Sequence, residues 1–209
     1  MKKIRKKKGF VPPCYMGLDL SNTCSGITII DSSGNHIKSF ALAITDARLK
    51  KNSDFANCFN DPKRRLHMKK YSWIKDRIEE LVIRYKVEFA VFEGYAYGVR
   101  SRAVTRLAEL GGIIRDMICQ CNIKDVLEIT PGQNKKFLTG KGNAHKDKIL
   151  QQVLKRWDKE FETSDEADSF GLALICYRYY GKNIDEKNFC EVEIDVINTL
   201  KKDNQKKEK

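Results

Sequence analysis

The chain has 209 residues, 41% of them hydrophobic and 33% charged, with a formal net charge of +12. That length supports one full core rather than two independent domains, and the composition is that of a globular protein, not a disordered one. No apolar run approaches the roughly 18 residues a spanning helix needs, so no membrane segment is expected, and no apolar stretch follows the basic N-terminus as a secretory signal would require. Seven cysteines, at 14, 24, 58, 119, 121, 176 and 190, include no C-x-x-C pair. They fit a reducing, cytoplasmic setting better than a disulfide scaffold or a zinc site.

The charge is concentrated at the ends. Residues 2–8, KKIRKKK, carry six positive charges and residues 201–209, KKDNQKKEK, a net +3, which leaves +3 on the rest. Both ends read as unstructured. Such arms suit a polyanion, whose released counterions drive binding, and they equally suit plain solvated tails. The expected organisation is a basic arm (1–13), one central domain (14–182), and a C-terminal helix with a basic tail (183–209).

In chain order, CYMGLDL reads as a first strand, SGITIID as a second ending in the turn signal SSGN, and HIKSFALAI as a third. Short connections make these an antiparallel meander. Residues 44–62 read as a loop or a partly ordered segment. Helical spacing of Leu66, Trp73, Ile74, Ile78, Leu81, Val82 and Tyr85 predicts a helix from Lys63 to about Tyr85. EFAVFEG is a fourth strand, parallel to one already in the sheet because a helix separates it from the meander. A helix over about 102–121, a fifth strand DVLEIT, and helices over about 145–159 and 164–180 follow, with a last helix between Asn188 and Lys201. The order βββ-α-β-α-β-α-α predicts an α/β fold: a five-stranded mixed sheet with helices on both faces, which is the skeleton of ribonuclease H-like proteins and is also compatible with other α/β arrangements.

Four carboxylates fall at telling places. Asp19 lies near the end of strand one and Glu93 ends strand four, so both sit at the sheet edge where open α/β sheets bind ligands. Thr163 followed by Glu166 forms a capping-box signature, and Asp165 and Asp168 then share one face of the helix it starts. Together they can converge on hard divalent cations such as Mg²⁺, which take oxygen ligands. A pair of such ions can activate water and stabilise the leaving oxygen of a phosphodiester. Singly, Asp165 and Asp168 are ordinary first-turn acids. Asp19 can be a solvated strand end, a metal ligand, or the acid of a nucleotide-binding phosphate loop, GLDLSNTCSG.

Four motifs in the same order carry a family resemblance. LTGKGNAHKDKILQQVL (138–154) resembles the G-K-G-x-A-x-K segment of RuvC-type Holliday junction resolvases. GLDLS resembles that family's first-acid motif, VFEGYAYG its strand-borne Glu, and SDEADSFGLAL its closing helix; the EGYAYG…LAELGGIIR wording is closest to bacteriophage-type members. The resemblance spans roughly residues 15–180. It implies a ribonuclease H-like fold, a homodimer, and Mg²⁺-dependent cutting of branched DNA at two ions per site, with Mn²⁺ able to substitute. It also implies that Asp19, Glu93, Asp165 and Asp168 are the metal ligands and that Lys146 stands near the scissile phosphate. Leu20-Ser21 replace the Pro-Gly of many bacterial members, and both charged ends lie outside the match.

Lys141, in the Gly-rich loop before Lys146, is a weaker phosphate contact. Tyr95 and Tyr97 beside Arg100 and Arg102 suit strained or unpaired bases; a Tyr packed on the sheet edge is an equal reading. Gly111-Gly112 inside a helix suggest close approach of another backbone, from a second subunit or from the same chain. His145 reads as a surface residue. The expected function is structure-selective cleavage of four-way junctions leaving 5′-phosphate ends. The alternatives are a related nuclease for flaps, forks or RNA–DNA hybrids, an actin-like nucleotide binder, for which 209 residues leave no room for a second domain, and a non-catalytic DNA-binding module.

Overall fold

The computed structural model describes residues 13–43, 60–95, 102–182, 184 and 189–207. Strands β1 (Cys14–Asp19), β2 (Ser25–Ile30) and β3 (His36–Leu42) form the meander. Helix α1 (Pro62–Tyr85) leads to β4 (Val87–Glu93), α2 (Arg102–Gln120) and β5 (Asp125–Ile129). Four helices close the chain: α3 (Pro131–Thr139), α4 (Lys146–Trp157), α5 (Ser164–Tyr180) and α6 (Glu191–Lys207).

The sheet order is β3-β2-β1-β4-β5. β1–β2 and β2–β3 pair antiparallel, whereas β1–β4 and β4–β5 pair parallel, as the pattern of connections predicts. Because strand side chains alternate, β1 is buried on both faces. Cys14, Met16 and Leu18 join the core under α1 and α2, while Tyr15 joins the core under α3–α6. β4 splits the same way, with Ala90 and Phe92 on the α1/α2 side and Val91 on the other. The β1–β4 register pairs Gly17 with Val91 and Leu18 with Phe92. One step further, Asp19 and Glu93 stand side by side on the face that α5 covers.

Helix α5 starts at the expected cap: the Thr163 side chain accepts from Glu166 N, and the Glu166 side chain accepts from Thr163 N. Residues 167–176 are all buried, so this helix is apolar nearly all round and lies between the sheet and the outer helices. Two glycines let it lie directly on the sheet. A Cβ on Gly17 would overlap the Ser169 carbonyl oxygen and stand 2.8 Å from Leu172 Cβ; one on Gly26 would overlap the Asp165 carbonyl oxygen. Gly26 pairs with Asp19. The glycine opposite Asp19 therefore brings the first turn of α5, with its acids, onto the carboxylate edge.

Two expectations need correction. Helix α3 is absent from the predicted order, because nine residues containing Gly132 and Asn134 give little apolar periodicity. Its ends are nevertheless well marked: a Thr130–Gln133 capping box, Pro131 in the first turn, and Gly140 at φ +80° closing it. The C-terminal basic residues are not an unstructured tail as far as Lys207, since α6 continues through them. Lys and Gln are good helix formers, and Asn204 Nδ2 donates to Tyr179 OH at 2.9 Å. Farther up, Val196, Ile197 and Leu200 bury α6 into the core under α3–α5. Among the described residues no helix is long and apolar enough to cross a membrane.

Candidate active site

Asp19 and Glu93 come from adjacent parallel strand ends, and Asp165 and Asp168 from the first turn and a half of α5. Lys146, the first residue of α4, places Nζ 3.7 Å from Asp165 Oδ1. The four acids lie close enough for their charges to act on one another. The Asp19 carboxyl is pushed well above the usual range by burial first, then by the charges of Glu93, Asp168 and Asp165, with Lys146 opposing. Glu93 is raised to about 7, by burial and then Asp168; an Asn134 hydrogen bond, Lys135 and Lys146 pull it back. Asp168 is raised to about 6 by burial, against Lys146 and Lys135, with Asp165 adding to the rise. Like charges crowded out of water hold on to protons.

Such a site fits a hard cation. Its donors are all carboxylate oxygens, three of the acids are held above their ordinary range by burial and by one another's charge, and the buried Asp168 Oδ1 has no hydrogen-bond partner. Among the described residues, no three His, Cys, Asp or Glu side chains already stand in an arrangement able to hold an ion. What brings the four acids to one edge is backbone placement: two adjacent strand ends and the first turns of α5.

A family model described as "Crossover junction endodeoxyribonuclease RuvC" matches residues 15–176, which takes in all four acids and Lys146. The chain belongs to the RuvC family. Curated relatives include the RuvC proteins of Rickettsia felis, 30% identical over 108 residues (51% of this chain, 69% of that one), and of Rickettsia bellii, 31% identical over 107 residues (50% and 68%). Among solved structures, Thermus thermophilus RuvC matches with a TM-score of 0.58 at 16% identity, covering 77% of this chain and 91% of that one. The yeast mitochondrial Holliday junction resolvase Ydc2 matches with a TM-score of 0.50 at 11% identity, covering 93% and 83%. At these identities the structural likeness speaks for the fold, a ribonuclease H-like one.

In this RuvC-family chain two site residues escape sequence reasoning: Asn134 and Lys135, both on α3. The Thr130-Pro131…Gln133 capping signature was the available signal for them. The Cys24 thiol is also raised, to about 11, by burial and then by the charge of Asp165. The β1–β2 turn is pinned to the far helices, with Asn22 Nδ2 donating to Ala103 O at 2.9 Å and Lys70 Nζ to Asn22 O.

The remaining candidates divide. Tyr97 and Arg100 lie outside the described residues. Tyr95 OH accepts from Arg115 Nη1 at 2.7 Å, and the guanidinium lies over its ring while Nη2 reaches Glu128 at 2.9 Å. This explains Gly111 differently from the expected backbone approach: a Cβ there would overlap Tyr95 OH, whereas Gly112 has nothing within 4 Å. Arg102 opens α2 and lines a cleft of about 290 Å³ with Lys63, Arg64, His67 and Arg106, balanced by Asp61 and Glu109. Lys141 is exposed in the turn after α3, and His145 is exposed at the start of α4.

Proposed function

We propose that this chain cleaves Holliday junctions and related branched DNA as a Mg²⁺-dependent endonuclease, acting as a homodimer that nicks opposing strands. The observation that carries the reading is the convergence of Asp19, Glu93, Asp165 and Asp168 at one sheet edge of a RuvC-family chain. Support for the substrate comes from the family and from its structural neighbour, T. thermophilus RuvC in complex with a Holliday junction substrate, which matches with a TM-score of 0.58 at 15% identity.

In this reading Asp19, Glu93, Asp165 and Asp168 would hold two Mg²⁺ ions. Bound there, the ions supply Lewis acidity toward the phosphate oxygens and make water a stronger acid. The residues of the chain do the rest. The strand-borne Asp19 and Glu93 are fixed by sheet register, so their spacing does not depend on loop order. Asp165 and Asp168 ride on a buried helix whose position Gly17 and Gly26 set. Lys146 offers its ammonium to a phosphate oxygen and offsets charge on the departing 3′ oxygen. Water adds across the phosphorus–3′-oxygen bond, the 3′ oxygen takes up a proton, and a 5′-phosphate and a 3′-hydroxyl result. Lys141, Arg102, Arg100, Tyr95 and Tyr97 are assigned in this reading as contacts to the DNA backbone and branch point, and the basic ends add sequence-independent attraction.

The test is cleavage of a synthetic four-way junction, a flap, a fork and an RNA–DNA hybrid at equal concentration with Mg²⁺. Preferential paired nicking of the junction is the expected result. Equal or better cutting of the hybrid or flap would replace junction resolution with a broader nuclease activity.

A further inference from the structure

Asn134 is fully buried. Burying an amide with unmatched hydrogen-bonding atoms costs about 1–3 kcal/mol, and Asn134 Oδ1 is buried with no partner. A leucine of similar size would fill the same place beside Leu138 without that cost, so stability alone does not account for the amide. Its nitrogen, in contrast, is well used. Nδ2 donates to the Asp168 main-chain carbonyl at 3.1 Å, and the amide lies near enough to the Glu93 carboxylate to favour its charged form. One amide thus holds the first turns of α5 and stands beside the last residue of β4, the two elements that present Asp168 and Glu93. The chain makes room for it. A Cβ on Gly171 would overlap Asn134 Oδ1 and stand 2.7 Å from Leu138 Cδ1.

We infer that Asn134 is a positioning residue of the metal centre, its amide fixing the strand-borne Glu93 against the helix-borne Asp168 so that both are set for a divalent cation. The inference rests on the reading of the four acids as a cation site. It separates two jobs that α3 does. The Thr130 cap and Phe137 and Leu138 hold the helix in the core, while Asn134 reaches from it into the acid cluster. A merely structural Asn134 would stitch α3 to α5 and leave cation affinity in the folded protein untouched. A positioning Asn134 leaves the fold intact when replaced by an apolar residue and weakens the cation. Partners that orient metal ligands typically change affinity or activity by about 10–100-fold when removed.

The experiment uses the full chain as wild type, Asn134→Leu and Asn134→Val, with Asp19→Asn as the control for the site. Mn²⁺ alone is titrated by electron paramagnetic resonance without DNA, and unfolding of the cation-free protein is followed in chelator. The expected result is an unfolding midpoint unchanged or raised in Asn134→Leu, a Mn²⁺ dissociation constant weakened about tenfold in both variants, and an altered spectrum of the bound ion. Wild-type Mn²⁺ affinity and spectrum in both folded variants would overturn the inference while leaving the cation site standing. Loss of folding in both would overturn it as well, since the amide would then be structural. Failure of the wild type to bind Mn²⁺, or binding unaffected by Asp19→Asn, would remove the cation reading and the inference with it.

Discussion

Replacing Glu93 by Gln should stabilise the cation-free protein at alkaline pH. Burial and Asp168 raise this carboxyl from 4.5 to about 7. Between those values the folded chain holds a proton that the unfolded chain has released, so the slope of unfolding free energy with pH is negative. The stability contributed by the protonated form is fully present below the unfolded value and is lost as pH rises through the folded one. By the linkage relation, ionising Glu93 in place costs about 3 kcal/mol, a ceiling because the neighbouring acids titrate with it. Glutamine keeps the shape of the side chain and removes the charge. Urea unfolding in chelator at pH 5 and pH 8 reads the effect directly. The wild type should be less stable at pH 8 than at pH 5 through these acids, and Glu93→Gln should gain about 1–3 kcal/mol at pH 8 and little at pH 5. Added Mg²⁺ should stabilise the wild type and leave the variant nearly unchanged. A variant less stable than wild type at pH 8 in chelator would refute the crowded-carboxylate argument.

Gly26→Ala places a methyl group against the Asp165 carbonyl oxygen, and backbone cannot move aside as a side chain can. Overpacking of this kind costs about 1–3 kcal/mol; urea unfolding should show that loss, and junction cleavage should fall more than tenfold because α5 and its two acids lift from the sheet edge. Glu193 is buried and pairs with Arg156 and Arg178, and Arg156 also donates to the Phe137 and Leu138 carbonyls at 2.8 Å. Glu193→Ala leaves the two guanidiniums without their carboxylate, so equilibrium unfolding should register about 3–5 kcal/mol of destabilisation. A loss below about 1 kcal/mol would mean that solvent reaches this cluster.

Much of the site was legible because it depends on local rules. A strand that alternates into two cores and ends in an acid fixes where that acid points, and this held for Asp19 and Glu93. The Thr163–Glu166 capping box fixed the start of α5 and hence the face shared by Asp165 and Asp168. The phosphate-loop reading of GLDLSNTCSG weakens for the same reason: Asp19 faces three other carboxylates, and the Ser21, Thr23 and Ser25 side chains bond within their own turn. What escaped depends on packing between distant segments. Asn134 belongs to the site only because Gly171, on another helix, leaves space for it. Tyr95 is clamped by Arg115 across Gly111, a side-chain approach that helix propensity cannot report. Residues 201–207 are helical through propensity and continuity with a buried turn, which charge alone obscured.

The most direct test of the central claim is four-way junction cleavage by Asp19→Asn beside the wild type, with Mg²⁺, together with junction binding by both. The variant should bind the junction with near wild-type affinity and cut it about a hundred- to a thousandfold more slowly, on the order expected when a transition-state charge stabiliser is removed. Undiminished cutting by Asp19→Asn would contradict the assignment of the carboxylate edge as the catalytic centre.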